Sequence, residues 1–262
     1  MGELVFVGLG LHDERDLTLR ALEELRSCDE VLAEQYTSRW GEGAMGRLSA
    51  TLGQKIVQLS REEVEGEARI LSALEAHARV ALLVVGEPFA ATTHVALRLA
   101  VERHGHRWSL VHNASILTAA ASLAGLSHYR FGRTVSLPRP TADYRPTSPY
   151  EAILANRRAG AHSLVLLDLN PTAGSYLRAD EALKVLGAIE DERKEGVLPP
   201  EREVVVVARA GGPDATVTVG PRRVLERKDF GPPLHCLIVP APSLHFVEEE
   251  ALRGRRVDAA TS

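Results

Sequence analysis

Residues Val80-Ala-Leu-Leu-Val-Val85 run straight into Gly86-Glu-Pro-Phe-Ala-Ala-Thr-Thr-His94. The first stretch is a short, continuous apolar run, the pattern of a buried strand. The second opens with a glycine, a carboxylate and a proline, which predict a rigid polar turn at the strand's C-terminal end. Thr92 and Thr93 then predict a side-chain cap for a helix over 93–104. In open α/β sheets, ligands sit just outside the carboxyl ends of the strands. The turn is therefore where a ligand's polar groups are expected, although Gly and Pro also mark ordinary strand–helix links.

The same alternation extends on both sides of this stretch. Strands are expected at 4–8, 30–34, 55–59, 80–85 and 107–112. Helices are expected at 18–27, with Leu19, Leu22 and Leu25 at helical spacing, and near 46–52. Ser60-Arg-Glu-Glu63 is a capping box that opens a further helix to about residue 77. This βαβ order predicts a mainly parallel, three-layer first domain. From Asn113 the texture changes. Small residues, Thr118-Ala-Ala-Ala-Ser122, predict a closely packing helix that ends at Gly125. A Pro-rich segment over 138–149 reads as a loop. Helices at 150–158 and 179–194 and strands at 163–169, 204–208, 215–219 and 235–239 follow, with antiparallel neighbours expected among the last. The tail from Arg253 reads as polar and frayed.

Composition narrows the class. The chain has 262 residues, 45% hydrophobic and 25% charged, with a net charge of −4. No global basic field argues for nucleic acid. Cys28 and Cys236 are the two cysteines, far apart and in apolar settings, which suits a reducing cytoplasm. Met1-Gly2-Glu3 lacks a basic segment, so no signal or transit peptide is expected, and no apolar run approaches a membrane span. The histidines have no metal-ligand spacing. The closest group, His104, His106 and His112, reads as a solvated strand edge, and no metal site is expected.

Val7-Gly-Leu-Gly-Leu11 is a strand entering a Gly-x-Gly turn. A dinucleotide fingerprint would need a third glycine where Asp13 stands, and the polar insert over 12–16 delays the helix. Asp29, Glu30 and Glu34 lie where a ribose-binding acid would be, which keeps a nicotinamide reading open. No Gly-x-Ser-x-Gly elbow and no phosphate-binding P-loop occur. What recurs is a polar turn after a strand: Gly8-Leu-Gly10, Gly86-Glu-Pro88, Asn113-Ala-Ser-Ile116, Leu167-Asp168 and Ala208-Arg-Ala-Gly211. Every α/β strand ends in some such turn. The sharper reading is a single cofactor, neutral or zwitterionic, held by backbone groups and apolar walls.

Taken in order, these turns resemble the tetrapyrrole methylase superfamily and, within it, the diphthine synthase family. The resemblance is carried by Val7-Gly-Leu-Gly-Leu-His-Asp-Glu-Arg-Asp-Leu-Thr18, Ala33-Glu-Gln-Tyr-Thr-Ser38 and Leu59-Ser-Arg-Glu-Glu-Val64. Gly86 to His94, His112-Asn-Ala-Ser-Ile116, Tyr129-Arg-Phe-Gly132, Ala208-Arg-Ala-Gly211 and Asp229-Phe-Gly-Pro-Pro-Leu-His-Cys-Leu-Ile-Val-Pro240 extend it along the whole chain. Corrin-pathway relatives carry a Gly-Pro-Gly-Asp-Pro-like segment where this chain has Gly10-Leu-His-Asp-Glu-Arg15.

The resemblance implies a two-domain α/β fold over 1–112 and 113–262, with a mainly parallel first sheet and a mixed second sheet. It implies S-adenosylmethionine in the cleft between them, no metal, and a homodimer. Leu11, Glu87, Ala90, Ser115, Ile116, Leu167, Ala210 and His235 would line the cofactor, with Glu87 standing where aspartate is usual. Glu87 would offer its carboxylate to the cofactor's polar end, and His235 either its ring or its backbone. The implied reaction is trimethylation of the amine of 2-(3-carboxy-3-aminopropyl)histidine on translation elongation factor 2, giving diphthine. Arg139, Arg145, Arg157 and Arg158 are the basic group that could dock this partner. Glu34, Tyr36, His94 and Asp168 are polar candidates near the site, and none is singled out as catalytic. A small-molecule tetrapyrrole methylase of the corrin or siroheme pathways and a non-catalytic nucleotide-binding protein are the alternatives.

Overall fold

The computed structural model describes residues 1–34, 36–170 and 173–257. Its first compact unit spans 1–116 and 170–174, and its second spans 117–169 and the chain from 175 onward.

The first unit runs β1 (Glu3–Gly8), α1 (Leu19–Arg26), β2 (Glu30–Glu34), α2 (Ala44–Leu52), β3 (Ile56–Leu59), α3 (Arg61–Glu65), α4 (Ala68–Ala76), β4 (Arg79–Val84), α5 (His94–Arg103) and β5 (Arg107–Val111). The strands form one parallel sheet in the order β3-β2-β4-β1-β5. Alternate side chains of a strand point to opposite faces, and both faces are apolar here. Val5, Val7, Val31, Ala33, Ala81 and Leu83 pack with Ala21, Leu25, Ala44 and Leu48 of α1 and α2. Leu4, Phe6, Leu32, Val80, Leu82 and Val84 pack with Val64, Ile70, Leu74, Leu97 and Val101 of α3, α4 and α5.

Two helices differ from the sequence expectation. In α1 the Thr18 hydroxyl accepts from Ala21 N at 3.0 Å, which starts the helix. Its buried residues are Ala21 and Leu25, while Leu19 is 80% exposed. A 3-residue spacing falls short of a full turn at every step, so Leu19 has drifted off the face that Leu25 occupies. The capping box at Ser60 is present, with Glu63 N donating to Ser60 Oγ at 3.2 Å and Ser60 N to Glu63 Oε2 at 2.7 Å. The single helix expected beyond it is two, because α3 ends at Gly66 and Glu67 takes φ +63. Glycine is a poor interior helix residue, and the left-handed turn after it restarts the chain on a new axis.

The second unit runs α6 (Ile116–Ala124), β6 (Val135–Leu137), α7 (Ser148–Arg158), β7 (Ser163–Leu167), the short ribbon β8 (Leu169–Asn170) and β9 (Ser175–Tyr176), α8 (Ala179–Arg193), β10 (Glu203–Ala208), β11 (Thr216–Pro221), α9 (Arg222–Leu225), β12 (His235–Val239) and α10 (Phe246–Arg253). Its five-stranded sheet has the order β11-β10-β12-β7-β6, antiparallel except for the parallel pair β6 and β7. Ala120, Ala121 and Ala124 of the small-residue helix are buried, as the sequence predicts. Strand β6 and helices α9 and α10 carry no clear sequence period and were not expected. The tail is not frayed as far as it is described. Val219 N donates to Arg255 O at 2.9 Å, and Val257 N to Val219 O at 2.8 Å. Residues 258–262 lie outside the described residues.

Two buried carboxylates hold this unit's loops. Glu190 accepts from Tyr150 Oη at 2.8 Å and from the N–H groups of Gly196, Val197 and Leu198 at 2.8, 2.7 and 2.9 Å. Glu248 accepts from Ser127 N and His245 N, both at 3.0 Å, from Arg130, and from His162 Nε2 at 3.2 Å. His162 Nδ1 accepts from Ala241 N at 2.9 Å, so the ring proton sits on Nε2.

Burial raises the Glu248 carboxyl, but these donors outweigh it and hold its pKa at about 2. Burial likewise pushes the His162 ring below its ordinary value. Both folded values lie below the unfolded ones, so both contributions are present at neutral pH and are lost on acidification. The contribution of His162 goes first, below its unfolded pKa, and that of Glu248 goes as pH falls toward 2. Glu248→Gln is expected to lower stability at pH 7 by about 3 kcal/mol and to flatten the loss between pH 4.5 and 2. Urea titrations across that pH range measure both effects.

Candidate functional site

The carboxyl ends of the first sheet are built mainly of backbone. Strands β1 and β4 are adjacent and in register, with Gly8 opposite Val84. Past their ends the two chains pair again. Gly86 N donates to Gly10 O at 2.8 Å, and Gly10 N to Gly86 O at 3.4 Å. Both glycines have positive φ, +75 and +79, a region that side chains disfavour. A Cβ on Gly8 would lie 2.7 Å from Gly86 O and 2.8 Å from the Asn113 side chain.

Asn113 ties this pair to its neighbours. Its amide donates to Gly8 O at 2.9 Å and to Asp16 O at 3.1 Å. Asp16 Oδ2 in turn accepts from Leu11 N at 3.0 Å and His12 N at 2.7 Å. Glu87 Oε2 accepts from Asn113 N at 3.0 Å, and Oε1 accepts from His112 Nδ1 at 3.1 Å. Leu11, Glu87, Ala90, Ser115 and Ile116 are thus gathered at the exits of β1, β4 and β5, all half-buried. Glu87 uses both oxygens on the chain, where the sequence suggested a carboxylate turned toward a ligand. His112 is exposed, as the sequence suggests for a solvated strand edge, and is also a partner of Glu87. Asn113 and Asp16 belong to this network although the sequence motifs that contain them do not single them out. The usable signal was an amide directly after a strand, beside glycines whose carbonyls need a donor.

Thr92 and Thr93 do not cap α5. Thr93 makes no side-chain cap bond, and the Thr92 hydroxyl donates to Pro88 O at 2.6 Å. Ala91 takes φ +59, so the turn closes on itself before the helix begins.

A second polar group stands at the exit of β2. Glu34 is wholly buried and accepts from Tyr36 N at 3.0 Å, Thr37 N at 3.1 Å and the Thr37 hydroxyl. Tyr36 Oη lies 3.4 Å from His94 Nε2, and His94 Nδ1 lies 3.0 Å from Pro88 O. Burial, with the Glu34 charge, pushes the Tyr36 phenol up to about 12, so it is protonated at neutral pH.

In the second unit, Leu167, Ala210 and His235 share one end of the sheet. Ala208 pairs with His235, and Leu166 with Cys236, so Leu167 comes opposite His235. The His235 ring is 7% exposed and engaged at both nitrogens. Nδ1 accepts from Ala179 N at 3.2 Å, and Nε2 donates to Pro232 O at 3.1 Å. Burial holds its pKa below the ordinary value. Ala210 follows Arg209, which has φ +52 and donates to Phe230 O and Pro232 O at 2.7 and 2.9 Å. Asp168 accepts from Arg139 N at 2.9 Å and reads as a loop anchor. Among the described residues no three His, Cys, Asp or Glu side chains are arranged around a metal position. No described helix is long and apolar enough to cross a membrane.

Asn113→Ala is expected to strand the carbonyls of Gly8 and Asp16 and to cost about 1–3 kcal/mol, read as a lower urea midpoint. Asn113→Asp keeps the shape and lacks the donors, and should cost at least as much.

This geometry agrees with the kinship of the chain. Residues 3–226 match the family of Tetrapyrrole (Corrin/Porphyrin) Methylases. Diphthine synthase of Methanothermobacter thermautotrophicus is 41% identical over 249 residues, covering 95% of this chain and 94% of the relative. Diphthine synthase of Methanosphaera stadtmanae is 38% identical over 249 residues, again 95% of this chain and 94% of the relative. A crystal structure of a diphthine synthase superposes with a TM-score of 0.86 at 34% identity, covering 97% of this chain and 96% of that one. Backbone-lined strand exits, a parallel sheet joined in sequence to a mixed one, and similarity over nearly the whole length all coincide, and the chain belongs to the tetrapyrrole methylases and, within them, to the diphthine synthases.

Proposed function

We propose that this chain is a methyltransferase that uses S-adenosylmethionine to trimethylate the amine of 2-(3-carboxy-3-aminopropyl)histidine on translation elongation factor 2, giving diphthine. The similarity to diphthine synthases over 95% of the chain carries the reading. The strand exits of the first unit support it. A Cβ on Gly86 would meet nothing nearer than Ala114 O at 3.9 Å, so the backbone there is open to a ligand, while Gly10 is backed by Asp16. The one acid among the expected contacts of this unit, Glu87, has both carboxylate oxygens hydrogen-bonded to its own chain. Such a surface suits a donor whose adenosine is neutral and whose amino-acid end is zwitterionic.

Leu11, Glu87, Ala90, Ser115 and Ile116 of the first unit, and Leu167, Ala210 and His235 of the second, are the proposed contacts. Leu11, Ala90, Ile116 and Leu167 supply apolar walls and backbone groups. Ser115 supplies a hydroxyl. Glu87 acts by fixing the turn and the N–H of Asn113, and His235 by its backbone, since its ring is engaged. The donor's sulfonium makes its methyl an electrophile without metal or covalent help. The protein's task is to bring an unprotonated amine into line with the C–S bond. A water-poor site favours the neutral amine by disfavouring its charged form.

Of the arginines that could dock the elongation factor, two are already paired. Arg139 donates to Tyr176 O and Glu181, and Arg145 lies 3.7 Å from Glu192. Arg158 is exposed and is the better candidate. We place the protein in the cytoplasm, where its substrate works, as a homodimer. Light scattering at micromolar concentration should give twice 28.4 kDa, and a monomer throughout a dilution series would reject the dimer.

Incubation with S-adenosylmethionine and an elongation factor 2 carrying the unmethylated side chain should add the mass of three methyl groups at that histidine. Calorimetry should show the methyl donor and its demethylated product binding without added metal, and NAD should not compete. Methylation of a tetrapyrrole with the elongation factor left unchanged would move the chain to the small-molecule branch.

A further inference from the structure

The direction of hydrogen bonding at Tyr36 is fixed by a group that cannot reverse. Pro88 O is a carbonyl and only accepts, so the proton of the His94 ring sits on Nδ1, 3.0 Å away. His94 Nε2 is then a bare lone pair, and the Tyr36 hydroxyl 3.4 Å away donates to it. The hydroxyl proton is committed, the Thr93 side chain is a further hydrogen-bond partner of Tyr36 Oη, and what Tyr36 Oη can still offer is its remaining lone pair.

The hydroxyl is also held in place. Buried Glu34 clamps the backbone of Tyr36 and Thr37, and the Arg61 guanidinium lies 5.3 Å from the ring centre. The other ionisable groups facing it are accounted for. Glu34 is occupied by the turn. Glu65 is bonded by Arg61 at 3.1 Å and by the Thr93 hydroxyl at 3.4 Å. Arg61 is a cation. His94 is left as the group facing the hydroxyl that can take a proton. All of this stands at the carboxyl end of β2, on the same sheet edge as the Gly10 and Gly86 turns.

We infer that Tyr36 Oη accepts an N–H of the methyl acceptor in its ammonium form and relays that proton to His94 Nε2, a role that rests on the methyltransferase reading above. In each cycle an N–H bond of the protonated amine, the ammonium, breaks and an O–H bond forms at Tyr36, while the original Tyr36 O–H breaks and an N–H forms at His94. The freed nitrogen lone pair attacks the methyl carbon, and the C–S electrons pass to sulfur. The imidazolium keeps Nδ1–H on Pro88 O and Nε2–H on Tyr36, and it returns its proton to water through the same hydroxyl. An ammonium that ends as a trimethylammonium must shed three protons in turn, so the relay serves every transfer. Tyr36 is a catalytic residue on this assignment, and Glu34 is a positioning residue.

The test is methylation of the modified elongation factor from pH 6.5 to 9.5 by the parent, Tyr36→Phe and His94→Gln, with melting temperature and S-adenosylmethionine affinity measured alongside. Tyr36→Phe should lower kcat roughly a hundredfold or more near pH 7, in the range of general-base contributions. It should recover part of that at high pH, where the amine sheds its proton unaided, and should keep donor affinity and melting temperature near the parent's. His94→Gln keeps an acceptor toward Tyr36 and removes the proton acceptor, and should show the same rise with pH. Parent-like kcat in Tyr36→Phe at every pH overturns the relay and leaves the methyltransferase reading standing. So does a loss of rate matched by an equal loss of donor affinity, which marks a structural residue. A parent chain inert on the elongation factor overturns both.

Discussion

Two left-handed glycines paired across strand exits set the terms for the first unit. Parallel strands normally separate past their last ladder bond, and the carbonyls there lose partners. Here Gly10 and Gly86 meet again one turn beyond β1 and β4. The Asn113 amide then supplies the donors that Gly8 and Asp16 still need. The result is a rigid edge whose outward groups are mostly backbone. A methyl on Gly8 would press on Gly86 O, so the close approach of the two chains demands glycine there.

The second unit solves its loop problem differently. Its connections are held by buried carboxylates whose charge is spread over several N–H donors, Glu190 around 196–198 and Glu248 around Ser127 and His245. A buried charge is costly unless fully hydrogen-bonded, and both meet that condition. Histidine serves the same end in the second unit. His162 and His235 each use both ring nitrogens on the chain. In His94 one nitrogen meets a carbonyl and the other a hydroxyl, where the acceptor nitrogens of His162 and His235 meet backbone N–H groups.

Local rules were legible in the sequence wherever a single residue type decides the structure. Ser60 and Glu63 announce a helix start, and the β-branched and leucine runs announce the buried strands. The parallel and antiparallel halves followed from the spacing of those runs. The helix break at Gly66 and Glu67 was hidden because the apolar spacing continues across it. Exposed Leu19 was hidden because a 3-residue spacing imitates a face over one turn. At the site, the turns themselves could be read, but what the side chains do in them could not. Glu87 reads as a ligand carboxylate until His112 and the Asn113 N–H are found beside it, 25 and 26 residues away in sequence. The resemblance to a family suggests the contacts, and the long-range pairing shows which of their side chains already have partners in the chain.

The last described residues have a consequence for how this protein behaves in company. β11 is an edge strand, and an open edge offers unpaired groups to any other strand that meets it. Arg255 and Val257 bond to both the N–H and the carbonyl of Val219 on that strand. Gly220 has no Cβ, which would sit 2.8 Å from the Val257 side chain, so the chain can lie close there. At the other side of the sheet, β6 is three residues long, too short a template for stable pairing. The second unit thus shields one margin with its own chain end and keeps the other brief, and copies crowded together in a cell find little of this sheet to extend.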